Sequence, residues 1–262
     1  MDKLDTEKIK AFLGKSLFSS SITVYERLES TNNRAKELYD EGAEEGAVVL
    51  AEEQTAGRGR MDRKWLSPPN KNILISILLK PEIKIENIYS LTLAMAVAGI
   101  DAIKEMTGLS SLIKWPNDIY LNNKKLAGIL TEFKVRKKTP AYVIVGMGLN
   151  VNWNPEQEPG ILFPSTSILN ETGSLTSRNR LLSIILKYFE LLYYDIISER
   201  MEGLYDRCNR LSLITGREIS VDTGYEIIKG EATGIDEYGA LILKVQGGNT
   251  RKILNGDVSI RF

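Results

Sequence analysis

Apolar positions along this 262-residue chain follow two rhythms, and the rhythm changes near residue 213. Before that point, short apolar runs alternate with helical stripes. Residues 5–13 predict a short helix closed by Gly14, and residues 22–28 predict a strand. Ser30, Thr31 and Asn32 offer a choice of N-cap side chains for a helix running to about residue 40, with Gly42 as its stop signal. Residues 47–52 and 72–80 predict strands, and residues 85–106 a long helix ended by Gly108. Residues 112–121, 125–134 and 142–152 predict three consecutive strands, with tight turns at Asn122-Asn123 and over 137–140. Residues 155–164 predict a loop. Residues 178–201 place Leu181, Ile184, Ile185, Tyr188, Leu191 and Leu192 at helical spacing. From Gly216 onward, short β-like runs are separated by turn signals such as Asp222-Thr223-Gly224 and Gly247-Gly248-Asn249, the pattern of a small β-barrel. The expected fold class is therefore α/β, or α+β, with three parts. These are a helical extension over 1–20, a large domain over 21–213 and a barrel over 214–262.

Composition narrows the function classes. Thirty-four basic residues balance thirty-four acidic ones, so no global field favours nucleic acid or a membrane. An anion site would have to be local. Histidine is absent, which excludes a histidine base, a Ser–His–Asp triad and histidine metal ligands. A single cysteine, Cys208, excludes an intramolecular disulfide and suits a reducing, cytoplasmic setting. The charged stretch over 2–10 lacks the apolar centre of a secretory signal, and no run of about 18 apolar residues exists to span a membrane.

Four constellations carry chemistry. The first is Gly57-Arg58-Gly59-Arg60, followed by Arg63 and Trp65. Glycines let backbone N–H groups approach a ligand closely, and arginine forks match carboxylate and phosphate oxygens. Trp65 adds a flat face for a ring. The second is Lys114-Trp115-Pro116-Asn117-Asp118, followed by Lys125 and Gly128, where a glycine inside an apolar strand marks close approach. In the third, strand alternation puts Gly146, Gly148 and Asn150 on one face and Met147, Leu149 and Val151 on the other. A flat ligand could lie on the bare face. The fourth is Ser30, Thr31 and Asn32: one helix uses one cap, so hydroxyl and amide groups remain free to grip a polar head group. Each has a plainer reading too, as a solvated basic turn, a surface lysine pair, tight packing over glycines, or simple capping.

Taken in order, Ser-Thr-Asn at 30–32, Gln54 to Trp65, Lys-Trp-Pro-Asn-Asp at 114–118, Lys-Leu-Ala-Gly-Ile-Leu at 125–130 and Gly-Met-Gly-Leu-Asn at 146–150 resemble the biotin–protein ligases. The resemblance spans about 25–262. It implies a mixed-sheet catalytic domain related to class II aminoacyl-tRNA synthetases and an SH3-like C-terminal barrel. It also implies ATP and Mg²⁺, with biotin as substrate and the carrier domain of a biotin-dependent carboxylase as partner. In that family biotin is activated as biotinyl-5′-AMP and passed to a carrier lysine. Carried over by position, Ser30, Thr31, Asn32 and Gln54 would hold the head group of biotin. Gly57, Arg58, Gly59 and Arg60 would wrap its carboxylate and the phosphates. Gly128, Leu130, Gly146 and Gly148 would line the biotin pocket. Lys125 would bridge carboxylate and α-phosphate, and Asp118 is a candidate to orient or accept the proton of the carrier lysine. Arg60, Arg63, Trp65, Lys114, Asn117, Lys125, Asn150, Asp257 and Arg261 would reach the nucleotide. No metal ligand is assigned.

Two positions strain the pattern. Strict alternation puts Lys125 on the opposite face from Gly128 and Leu130. A bulge near Ala127, or the lysine wrapping the strand end, would reconcile them. Asp62 stands where the family usually has glycine, and its charge opposes phosphate. About 20 residues precede the first predicted strand, too few for the DNA-binding winged helix of many relatives, so no DNA partner is expected. The exposed hairpin over 133–141 could pair two copies in a homodimer. The competing readings are lipoate or octanoate ligation on the same fold, and an RNA-binding module built on Arg58–Arg63 and the cluster at 136–138, which zero net charge disfavours.

Overall fold

The structure is a computed structural model and describes residues 3–158, 160–161 and 163–260. Its larger sheet contains β1 (Ile22–Tyr25), β2 (Val48–Ala51), β3 (Ile73–Leu79), β4 (Leu112–Lys114), β5 (Asp118–Leu121), β6 (Lys124–Arg136) and β7 (Thr139–Leu149), in the order β1-β2-β3-β7-β6-β5-β4. β1 and β2 run parallel and the other neighbours antiparallel, so the sheet is mixed. Among the described residues six α-helices accompany it: α1 (Thr6–Leu13), α2 (Thr31–Asp40), α3 (Ile88–Thr107), α4 (Ile168–Thr172), α5 (Arg178–Ile197) and α6 (Glu202–Arg210).

β3 is buried along its whole length because both faces are covered. Its Ile73, Ile75, Ile77 and Leu79 join the main core, together with Val143, Val145, Met147 and Leu149 of β7 and the buried residues of α3 and α5. Its Leu78 and β7's Ile144 pack instead under Ala35 of α2. The candidate site residues lie on this second face, at the start of α2 and beyond it, where Ser76, Gly146 and Gly148 replace large apolar side chains. The first helix belongs to the same core, since Leu4, Ile9, Leu13 and Phe18 are all buried in it.

Several elements differ from the sequence expectation. The stretch over 112–121 is not one strand. It folds back as β4 and β5 around Trp115, Pro116 and Asn117, with a cis Trp115–Pro116 bond. Proline has no N–H for a ladder, so the strand breaks there. The first strand ends at Tyr25, and Leu28 makes only a single bridge, to Gln54. The helix from Arg178 ends at Ile197, and α4 and α6 were not anticipated. α6 buries only Leu204, Tyr205 and Cys208, too sparse a stripe to stand out from sequence. The Asn122-Asn123 turn is as expected, with φ of 49° and 62°.

The C-terminal sheet is antiparallel throughout, in the order β11-β10-β9-β8-β12, with β8 (Glu218–Asp222), β9 (Ile227–Ile235), β10 (Leu241–Val245), β11 (Thr250–Ile253) and β12 (Asp257–Ile260). Its core holds Val221, Ala232, Leu243 and Val258 and also takes in Trp115 and Tyr120 from the larger sheet's edge. The Trp115 Nε1–H donates to the Gly239 carbonyl at 3.0 Å. The hairpin carrying Asn117 and Asp118 is thus held from both sides. Among the described residues no helix is long and apolar enough to cross a membrane.

Candidate functional site

A cleft of about 760 Å³ opens between the larger sheet and the last strand of the smaller one. Almost every residue singled out above lines it. Two do not. Gly57 sits behind the wall, where a Cβ would come within 2.7 Å of the Trp65 carbonyl oxygen. Arg261 lies outside the described residues.

One end of the cleft is a polar pocket. Ser30 is the N-cap of α2, yet its side chain makes no cap hydrogen bond. Thr31 and Asn32 point inward instead, and all three are buried. The Thr31 hydroxyl donates to Gln54 Oε1 at 3.0 Å, and the Thr31 N–H donates to the same oxygen at 2.8 Å. Ser76 Oγ lies 2.7 Å from Thr31 Oγ1 and 2.5 Å from Asn32 Oδ1. The Asn32 amide nitrogen donates to the Leu130 carbonyl at 3.2 Å and to Glu132 Oε2 at 2.7 Å. Gly146 keeps room for Asn32: a Cβ would stand 2.1 Å from Asn32 Oδ1, so any larger residue would displace that amide. The floor next to it is Gly148, covered by the Trp65 ring, which would lie 2.5 Å from an added Cβ. Trp65 thus lies over the glycine floor, against both Gly148 and Gly128.

The middle of the cleft holds Lys125. Its register explains how it shares a face with Gly128. Ile119 pairs with Ala127 but Tyr120 with Lys125, so Leu126 is an extra residue, a β-bulge that turns the lysine inward. Lys125 Nζ lies 2.7 Å from Asp118 Oδ1 and 5.7 Å from the Trp65 ring centre. Asn117 is committed to the fold. Its Nδ2 donates to the Ile129 carbonyl at 2.6 Å, and its Oδ1 accepts from Arg60 at 3.3 Å. Lys114 lies 5.1 Å from the Tyr120 ring centre, and burial lowers the pKa of its ammonium.

The arginine segment closes the cleft. It is a small hairpin in which the Gly59 N–H donates to Arg63 O and the Trp65 N–H to Gly57 O. Its left-handed residue is Met61, at φ 55°, whereas Gly59 has φ −106°. Neither glycine takes a positive φ; a Cβ would crowd the Trp65 carbonyl at Gly57, whereas at Gly59 it would meet nothing closer than 3.5 Å. The side chain of Asp62 lies outside the described ones. Arg58 donates to Asn33 Oδ1 at 2.6 Å and stands 3.5 Å from Glu132 Oε1. Arg60 and Arg63 reach the C-terminal sheet. Arg60 donates to Asn255 and, at 3.1 Å, to the Gly256 carbonyl, and Arg63 pairs with Asp257. Burial lowers the Arg60 pKa. Burial alone would push the Asp257 carboxyl up, but the Arg63 guanidinium outweighs it and holds the group below the ordinary range. At the far end, Asn150 Nδ2 donates to the Thr166 carbonyl, while its Oδ1 is buried without a partner among the described residues.

Sequence reasoning missed Ser76, Glu132 and Asn255. Ser76 could have been noticed as the one polar residue in the run Ile73–Leu79. Burial would raise the Glu132 carboxyl, but hydrogen bonds from Lys36 and Asn32 and the nearby Arg58 charge outweigh it and hold the group below its usual value.

A cleft that joins a polar pocket, a bare glycine floor, a lysine–carboxylate pair and an arginine hairpin suits a ligase that activates a small acid with a nucleotide. Residues 24–150 match the Biotin/lipoate A/B protein ligase family, and residues 214–261 match the Biotin protein ligase C terminal domain. The bifunctional ligase/repressor BirA of Bacillus subtilis is 34% identical over 259 residues, covering 98% of this chain and 79% of that protein. A biotin–[acetyl-CoA-carboxylase] ligase of Paracoccus denitrificans is 33% identical, covering 85% and 93%. The biotin protein ligase of Aquifex aeolicus, solved with biotin and ATP, superimposes with a TM-score of 0.80 at 29% identity, covering 92% of this chain and 99% of that one. The chain belongs to the biotin/lipoate A/B protein ligase family, among its biotin protein ligases.

Proposed function

We propose that this chain activates biotin with ATP as biotinyl-5′-AMP and then transfers the biotinyl group to a lysine of a carboxylase carrier domain. The observation that carries the reading is the Lys125–Asp118 pair, set where the polar pocket meets the arginine hairpin.

The first step needs no base. A carboxylate with a pKa of about 4 is already ionised at neutral pH, which suits a chain without histidine. The barrier is repulsion: two unit charges 4 Å apart interact by ~4 kcal/mol at an effective dielectric near 20. Lys125 with Arg58, Arg60 and Arg63 offsets that repulsion while a biotin carboxylate oxygen attacks the α-phosphorus and pyrophosphate leaves. In the second step the carrier lysine amine attacks the acyl carbon, its proton is lost, and AMP leaves.

Ser30, Thr31, Asn32 and Gln54 would hold the N–H and C=O edge of the head group, with Gly128, Leu130, Gly146 and Gly148 along its body. Lys114, Asn150 and Asp257 line the nucleotide side. Mg²⁺ fits as an ion carried by the triphosphate. Among the described residues no group of three or more acidic, cysteine or histidine side chains could cage one, and Mg²⁺ is commonly held by phosphates with one or two carboxylates. Asp118 and Asp257 are the acids in the cleft that it would meet. It would neutralise phosphate charge.

One assay decides the substrate. Purified protein with ATP should release pyrophosphate on adding biotin and not lipoate; the reverse would move the reading to lipoate ligation. Asp118 stands beside Lys125, where it can orient the incoming amine or take its proton. Asp118→Asn should therefore slow transfer from preformed biotinyl-AMP at least tenfold more than it slows adenylate formation. Equal slowing of both steps would remove that role. The single buried cysteine suits a cytoplasmic home. The exposed Phe133 and Val135 on the β6–β7 hairpin could pair two copies, which sedimentation would reveal.

A further inference from the structure

Glu132 lies on β6, two residues past the pocket-lining Leu130, with its side chain 24% exposed. Its two oxygens face different groups. Oε2 accepts from the Asn32 amide at 2.7 Å. Oε1 accepts from Lys36 at 2.7 Å and lies 3.5 Å from an Arg58 nitrogen. One carboxylate thus joins the pocket wall, the second turn of α2 and the arginine hairpin.

An amide side chain reads opposite ways when turned by 180°, because its oxygen only accepts and its nitrogen only donates. Asn32 sits between Ser76 on one side and Glu132 on the other. The Ser76 hydroxyl carries one proton for two neighbours, Thr31 Oγ1 and Asn32 Oδ1, so it does not decide the orientation by itself. The Leu130 carbonyl at 3.2 Å is a long partner. The ionised Glu132, which can only accept, forces the Asn32 nitrogen toward itself and the oxygen toward Ser76 and Gly146.

We infer that Glu132 is a positioning residue that fixes the donor–acceptor sense of Asn32 and thereby the affinity of the head-group pocket. This rests on the biotin-ligase reading. A glutamine at 132 would present a donor as well as an acceptor, so Asn32 could turn over and offer its nitrogen where the ligand meets its oxygen. An aspartate keeps the charge, but one methylene shorter it cannot reach Asn32 and Lys36 together.

The test is calorimetric titration with biotin alone, no ATP, on wild type, Glu132→Gln, Glu132→Asp and Lys36→Met, each with a thermal melt. Glu132→Gln should weaken biotin binding tenfold or more, Glu132→Asp by a smaller factor of at least threefold, and Lys36→Met by less than twofold. ATP affinity, titrated separately, should stay within twofold in Glu132→Gln. Wild type that takes up no biotin would overturn the ligase reading and this role with it. Wild type that binds, with Glu132→Gln unchanged, would overturn this role alone, as would a loss in Lys36→Met as large as in Glu132→Gln. If Glu132→Gln does not fold, wild-type affinity in Glu132→Asp overturns the role equally.

Discussion

At the scale of single residues, the central fact is a lysine turned into the cleft by one extra residue. Leu126 has no partner across the ladder, and its insertion puts Lys125 beside Asp118. Lys125→Gln keeps a polar side chain of similar reach and removes the charge. Loss of one preorganised electrostatic contact of this kind costs about 10²–10³ in kcat. Pyrophosphate release at saturating biotin and ATP should fall by that factor, with biotin affinity changed far less. A fall of less than about threefold would show that the arginines alone offset the repulsion. Much of this was legible in the chain, because Gly57–Arg60, Lys114–Asp118 and Gly146–Asn150 are contiguous and their chemistry is local. The roles of Glu132 and Ser76 were not, although Ser76 stands out as the one polar residue of its run. Their partner Asn32 is 100 and 44 residues away, and in a strand they read only as one acid and one hydroxyl among apolar letters.

Elements add constraints that no motif shows. Arg178, at the start of α5, is fully buried and pairs with Glu52 just past β2, and it also donates to the Asn72 carbonyl. Glu52 in turn accepts from the Leu4 N–H at 2.7 Å. The first residues, the fifth helix and the strand leading to Gln54 are therefore tied at one carboxylate. Arg178→Met would strand that buried charge, and breaking such a pair typically costs about 3–5 kcal/mol. The expected result is a melting temperature lower by about 10 °C, with less effect if the isosteric pair Arg178→Met with Glu52→Gln is made instead. An unchanged melting temperature in the single variant would contradict the assigned burial. From sequence, α5 was visible through its apolar stripe, but Arg178 looked like an ordinary first-turn residue. The strand over 112–121 was misread because apolar content alone hides a fold-back at Pro116.

At the scale of the whole molecule, the cleft is closed by contacts between its two sheets. Arg60 and Arg63 of the hairpin are tethered by Asn255, Gly256 and Asp257. A carboxyl with a depressed folded pKa adds stability above its unfolded pKa, near 3.9, and loses it as pH falls through the folded value. Asp257 is such a group. Amide exchange over 57–65, corrected for the intrinsic rate, should therefore stay slow at pH 5 and accelerate only below about pH 4. In Asp257→Asn it should be fast at both. Identical protection in the variant would show that the tether does not order the hairpin. The change of rhythm near Leu213 is visible in the sequence, but the exchange of side chains between the two sheets is not.

That exchange matters most at Trp115. A tryptophan from the larger part fills the heart of the smaller one and donates to Gly239. Severing the chain after Leu213 would leave one fragment with a bare indole and the other with a hole of the same shape. Neither half would be comfortable in isolation, yet each carries the other's missing piece. Co-expressed fragments should find one another, and the quenching or shift of indole emission on mixing would serve as a built-in reporter of reassembly.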